Sequence, residues 1–214
     1  MLNIGYIIPT IMSCHLLSTE LVKYKKEEVS KNIIHFIHAL IFILCHNYNS
    51  DMVYTTHISI GFYTYDLIYL CTSIIKDKSK ATQSVGYILH HVITVNILCY
   101  SLYSLYSVSI LHAFYTLEMS NLMLYISYHI HKEYKNYKLI YATDFIQLIW
   151  YSYYRIIKIL LFSFKIKNEI LDTHVSIPIM IFIIFMMGVS WSYFLVIKNI
   201  KNFKSYKTLS HIKY

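Results

Sequence analysis

Fifteen of the chain's eighteen lysines fall in alternate gaps between its apolar stretches, and no other feature limits the possible folds so severely. Seven such stretches can be read, from about Asn3 to Val22, Asn32 to Tyr48, His57 to Ile75, Val85 to Tyr106, Ser107 to Ile130, Leu139 to Phe164 and His174 to Ile197. After the first and third come Lys23, Lys25, Lys26 and Lys31, then Lys76, Lys78 and Lys80. After the fifth and seventh come Lys132, Lys135 and Lys138, then Lys198, Lys201, Lys204, Lys207 and Lys213. The gaps after the second and fourth hold no lysine, and Lys165 and Lys167 after the sixth are offset by Glu169 and Asp172. Basic residues stay on the cytoplasmic side of membrane spans. The alternation therefore predicts an all-α, multi-pass transmembrane helix bundle of about seven spans, with the N-terminus outside and the C-terminus cytoplasmic.

Composition agrees. Charged residues make up 14% of the chain and hydrophobic ones 57%, too little charge to cover a water-facing surface. Four Gly and two Pro leave little material for the tight turns of a β-rich fold. The net charge of +8 would raise nucleic-acid binding in a soluble protein. Here the lysines sit in the gaps and no nucleic-acid motif accompanies them, so no nucleic-acid partner is expected. The first stretch lacks a basic leader and precedes its positive charges, which predicts a retained helix rather than a cleaved signal. Cys14, Cys45, Cys71 and Cys99 lie within apolar stretches at no metal-ligand spacing and are read as buried small hydrophobes. The chain then divides into a first helix and cytoplasmic loop (1–29), a transmembrane domain (30–203) and a lysine-rich cytoplasmic tail (204–214) that lies against anionic headgroups.

Ionisable residues inside spans are costly, so they face a bundle interior or a wet cavity. His35 and His38 share one face of the second stretch. Ser59, Tyr63, Asp66, Tyr69 and Ser73 form a polar stripe on the third. The fourth opens with Tyr87, His90, His91 and Thr94; the fifth carries His112, then Glu118, Asn121 and Tyr125 on one face. The sixth shows Asp144, Gln147, Tyr151, Arg155 and Lys158 at steps of three and four. His38, His90, His91 and Asp144 enter from the cytoplasmic side to a depth of roughly 8–10 Å, at about 1.5 Å per residue. If these stripes face one another, they line a cavity opening toward the cytoplasm. Each acid also has a plainer role, since Asp66 or Glu118 can simply neutralise Arg155 or a histidine. The His35 and His38 pair has ligand spacing, but no further histidine box accompanies it, and no metal site is expected.

The order of these residues resembles the TLC domain, shared by TRAM, ceramide synthases and the CLN-type membrane proteins. His38-Ala39 is similar to the His-Ala of that family's early helix, and Gly61-Phe62-Tyr63-Thr64-Tyr65-Asp66 to its Gly-Tyr-Phe-x-x-Asp element. Leu89-His90-His91-Val92-Ile93-Thr94 resembles the HH-x-x-T signature, and Leu117-Glu118-Met119-Ser120-Asn121 the Glu-x-Ser element after it. Tyr154-Arg155 and Trp191 resemble late-helix aromatic and Arg positions. The resemblance covers about Ser30 to Phe203. Ceramide synthases also carry a Leu-His-Asp segment; here Leu111-His112-Ala113 lacks that Asp. The chain is thus closer to the small TLC-domain proteins, which are connected to phospholipid composition, lipid sensing or trafficking.

The resemblance implies a protein of the endoplasmic reticulum, or another internal membrane, that binds membrane lipids or fatty acyl chains and influences membrane-lipid composition. It implies catalysis only through the ceramide synthase branch. There His90 or His91 would act as base or acyl-accepting nucleophile, with Asp66 or Glu118 orienting it and acyl-CoA as the acyl donor. His38, Asn121, Asp144 and Arg155 would line the substrate cavity. No cofactor is implied and no protein partner is named. A non-enzymatic cargo receptor or accessory protein is the remaining reading, although the tail from Tyr206 to Tyr214 shows no recognisable sorting signal.

Overall fold

In a computed structural model, residues 2–48, 52–105 and 107–211 are described; for 80, 82, 83 and 204–211 only the backbone is. Asn49, Tyr106 and Lys213 lie outside the described residues, and so do the side chains of the expected lysine-rich tail. The described residues are helical, with no strand among them.

Each apolar stretch becomes one long helical rod. The rods are α1 (Ile4–Val22), α2 (Glu27–Asn47), α3 (Met52–Lys76), α4 (Ala81–Ser101) and α5 (Ser107–Glu133). A sixth rod, Tyr137–Lys165, joins α6 (Tyr137–Ser152) to α7 (Ile159–Lys165) through a π-helical segment, Tyr153–Lys158. The short α8 (Lys167–Leu171) leads into the last rod, α9 (Ser176–His211). Four of these are long and apolar enough to cross a membrane, namely Glu27–Asn47, Met52–Lys76, Tyr137–Lys165 and Ser176–Phe203.

The ends have local causes. The Asn3 side chain accepts a hydrogen bond from the Gly5 N–H and starts α1. Asn136 does the same for α6, accepting from Lys138 and Leu139. The second helix begins at Glu27, five residues before the apolar run at Asn32, because charged Glu27, Glu28 and Lys31 occupy its first turns at the bundle end. The fourth helix stops at Ser101, so a turn of several residues separates it from α5, where the sequence showed almost no break. The last helix runs on to His211, through residues the sequence assigns to a tail.

Packing partners close a ring. α2 packs on α3 and α5, α3 on α4, α4 on α9, α9 on α6, and α6 on α5. α1 lies outside it against α2 and α3, and no residue of α1 is buried. The close approach of α1 needs Gly61, because a Cβ there would stand 2.8 Å from Thr10 Cβ and 2.9 Å from the Ile7 carbonyl oxygen. Lysine-bearing ends meet on one side: Lys25 Nζ lies 2.8 Å from Glu133, and Lys132 Nζ 2.8 Å from Glu28. The hydrogen bond from Lys25 holds the exposed Glu133 carboxyl below its ordinary value.

The distribution of polarity is inverted relative to a water-soluble bundle. Among the described residues, more buried positions are polar than apolar, while Ile149, Leu161, Phe182 and Phe194 are more than half exposed. An apolar exterior suits lipid, and a polar interior must satisfy itself. The cysteines follow the sequence reading only in part, since Cys14 and Cys99 pack against the hydrophobic core while Cys71 does not. All four are free, Cys14, Cys45 and Cys99 are half-buried, and Cys71 is exposed, where no pressure drives a thiol away from hydrocarbon.

Candidate functional site

Asp66 is the node of the interior. The stripe of α3 turns it inward, where it is 1% exposed. His91 Nε2 from α4 lies 2.6 Å from its Oδ2, and His35 Nε2 from α2 lies 3.1 Å from the same oxygen. Lys31 Nζ, one turn before His35, is 3.0 Å from Oδ1 and 4.3 Å from the centre of the Tyr69 ring. Three helices are therefore tied through one carboxylate. A carboxylate accepts only, so His91 carries its hydrogen on Nε2. Its Nδ1 is buried and has no partner, which leaves a lone pair free for a proton or an electrophile.

The adjacent residues diverge, as neighbours about 100° apart on a helix must. His90 turns away from Asp66 and meets the edge of Trp191 on α9, with ring centroids 5.6 Å apart and its own Nδ1 unpartnered. Glu118, 1% exposed, takes the Tyr63 hydroxyl as donor, and Asn121 Nδ2 lies 3.5 Å from its other oxygen. It forms no ion pair with Arg155. His38 braces α2 on α3 instead: its ring stacks on Phe62 at 3.9 Å and its Nε2 lies 3.1 Å from Ser59 Oγ.

Asp144 stands apart from this group. Its Oδ1 is 2.7 Å from Lys198 Nζ and 2.9 Å from His131 Nε2, and Ser127 donates to it at 2.9 Å. Asn202 donates to Oδ2 at 2.6 Å. With every direction filled, this carboxylate pins α5, α6 and α9 together at the lysine-bearing end. Lys158 is also removed from the buried face. The wide π turn keeps Tyr151, Arg155 and Ile159 inward at steps of four and leaves Lys158 exposed.

Arg155 is 2% exposed, flanked by the Tyr151 and Trp191 rings at 5.8 and 5.7 Å. Its Nε and Nη2 have no partner. It lines a partly open apolar cleft among α4, α5, α7, α8 and α9, about 70 Å³ as a cavity and about 870 Å³ with the open space in front of it. The cleft runs from Arg155 along Ile159, Phe162 and Ile166 to α8, away from the end where the lysines gather. The open space thus differs in place and character from a polar cavity facing the cytoplasm. The buried polar side chains fill the interior around Asp66 and Glu118, and space remained where the rod bends from α7 into α8.

Sequence reasoning named Asp66, His90, His91, Glu118, Asn121 and Arg155, and of these all but the half-buried Asn121 are buried. It passed over Lys31, whose spacing of four from His35 is the available signal, and His131, Lys198 and Asn202, which sit near apolar ends. Among the described residues, no group of three or more His, Cys, Asp or Glu is arranged to hold a metal. No family model, no curated protein and no solved structure matches this chain.

Proposed function

We propose that this chain is a seven-span membrane protein of TLC-domain type, with its N-terminus outside and its C-terminus cytoplasmic, that binds a lipid or acyl chain and influences lipid composition in an internal membrane such as the endoplasmic reticulum. The observation that carries this reading is the apolar cleft that ends on a buried polar layer. A partly open apolar cleft between helices is a usual place for a small-ligand site. Its walls are mostly apolar, with Ile97, Phe114, Leu117, Phe162 and Phe185 offering much to a hydrocarbon chain. Ala113, on the same wall, is the natural place to close it. The expected outcome is that expressing the chain shifts cellular lipid composition, and that Ala113→Phe, which fills the cleft, loses the shift at equal membrane abundance. An unchanged lipidome with the native chain counts against the function; a shift retained by Ala113→Phe counts against the cleft.

A second reading has its own support. Asp66 on Nε2 and an unpartnered Nδ1 are what a histidine needs to act as base or acyl acceptor, because the carboxylate holds the tautomer and stabilises the charge that develops. In that reading the protein is an acyltransferase of ceramide synthase type that takes acyl-CoA, with His91 as the working residue and Asp66 orienting it.

A further inference from the structure

We infer that Arg155 receives the head of a single-chain carboxylate, so that the cleft holds a long-chain fatty acid with its carboxylate inward. This rests on the cleft being a lipid site and adds the class of lipid and its direction.

A guanidinium cannot shed its proton, so at 2% exposure Arg155 is a fixed charge in a nearly water-free place. Such a charge is costly unless an anion faces it. Glu118 attracts it from beyond ion-pair distance and no other described acid pairs with it, while the Tyr151 and Trp191 rings flank it. The two unpartnered nitrogens are Nε and Nη2, which form one edge of the guanidinium. That edge offers two parallel N–H donors, the geometry that a carboxylate accepts bidentately. The stem is fixed as well: Arg155 Cγ lies 2.6 Å, and Nε 3.2 Å, from where a Cβ on Gly188 would stand. Only a glycine on α9 lets the side chain pass there.

The cleft supplies the rest of the ligand. From Arg155 to Ile166 the wall is about 16 Å long at about 1.5 Å per residue, and it is lined by apolar side chains. At its far end lies Glu169, which repels an anionic head and favours the orientation with the carboxylate at Arg155. One cation and one two-donor edge match a monoanion with one chain.

The test is binding of tritiated palmitate to the purified full-length chain in lipid nanodiscs, with methyl palmitate and hexadecanol as competitors. Palmitate should compete at least about tenfold better than the ester or the alcohol, the discrimination expected of hydrogen bonds to a charged group. Arg155→Met should abolish that preference while leaving methyl palmitate binding in place, and Gly188→Ala, which displaces the stem, should reduce it. Should Arg155→Met fail to fold, the comparison of the three ligands on the native chain still decides. Equal binding of acid, ester and alcohol overturns the carboxylate site and leaves the lipid cleft standing. Absence of binding by all three overturns the cleft as well.

Discussion

At Asp66 a single side chain determines how three helices meet, and its replacement separates charge from shape. Asn keeps the volume but cannot serve Lys31, His35 and His91 as an anion. Removing one partner of a buried ion pair leaves the others uncompensated, at a cost of about 3–5 kcal/mol. Asp66→Asn should therefore lower the melting temperature in detergent markedly, and Asp144→Asn should do likewise through Lys198 and His131. Loss of neither would show that these clusters do not hold the bundle. His91 permits a different experiment. If its Nδ1 does chemistry, His91→Gln loses any lipid change as completely as His91→Ala does. If the ring only donates to Asp66, the amide of Gln replaces that hydrogen bond and lipid profiling shows recovery. His90 serves as the comparison, because it faces Trp191 and not the acid. Asp66 and His91 were legible in the sequence because an ionisable group amid apolar residues stands out. Lys31 was not, because at the edge of a stretch a lysine looks like any other gap charge.

Among elements, α1 and α3 make a close approach against backbone. At Gly61 an added Cβ meets the Ile7 carbonyl, which is backbone and cannot swing aside. Gly86 on α4 has nothing within 4 Å of such a Cβ. Gly61→Ala should destabilise the protein and loosen α1, whereas Gly86→Ala should be neutral or raise stability by about 0.5–1 kcal/mol through helix propensity. Protease susceptibility of the α1–α2 loop, alongside thermal melting, reads both effects; equal behaviour of the two variants would show that α1 does not depend on this approach. The positions of the helices were visible from hydropathy to within a turn at most ends. The π turn was not. A stripe at Asp144, Gln147, Tyr151, Arg155 and Lys158 continues smoothly on an ideal helix, and only packing against α5 and α9 exchanges Lys158 for Ile159 on the buried face. Periodicity carries no record of a turn that packing has widened.

At the scale of the molecule, the order of the ring and the place of its open space depend on which faces meet, and a single sequence does not say. The lysines, however, bear on orientation directly. In the fold, charged partners join the ends of α1, α2 and α5 through Lys25–Glu133 and Lys132–Glu28, and Lys198 of α9 reaches Asp144 near the start of α6. Moving such an end across a bilayer would carry many lysines through hydrocarbon, which the positive-inside bias opposes. Tyr48, which caps the end of α2, and Lys78, just past α3, flank α3 in the chain, and its 25 residues measure about 37 Å at about 1.5 Å per residue, enough to cross the hydrocarbon core. In a background where the four native cysteines are replaced, Lys78→Cys should react with an impermeant maleimide only from the cytoplasmic side, and Tyr48→Cys only from the other. Labelling from one shared side removes the crossing by α3 and with it the seven-span arrangement. Labelling from opposite sides in the reverse sense keeps the spans and inverts the molecule, placing the lysines outside. The experiment thus separates the number of crossings, which hydropathy governs, from their direction, which only the lysines govern.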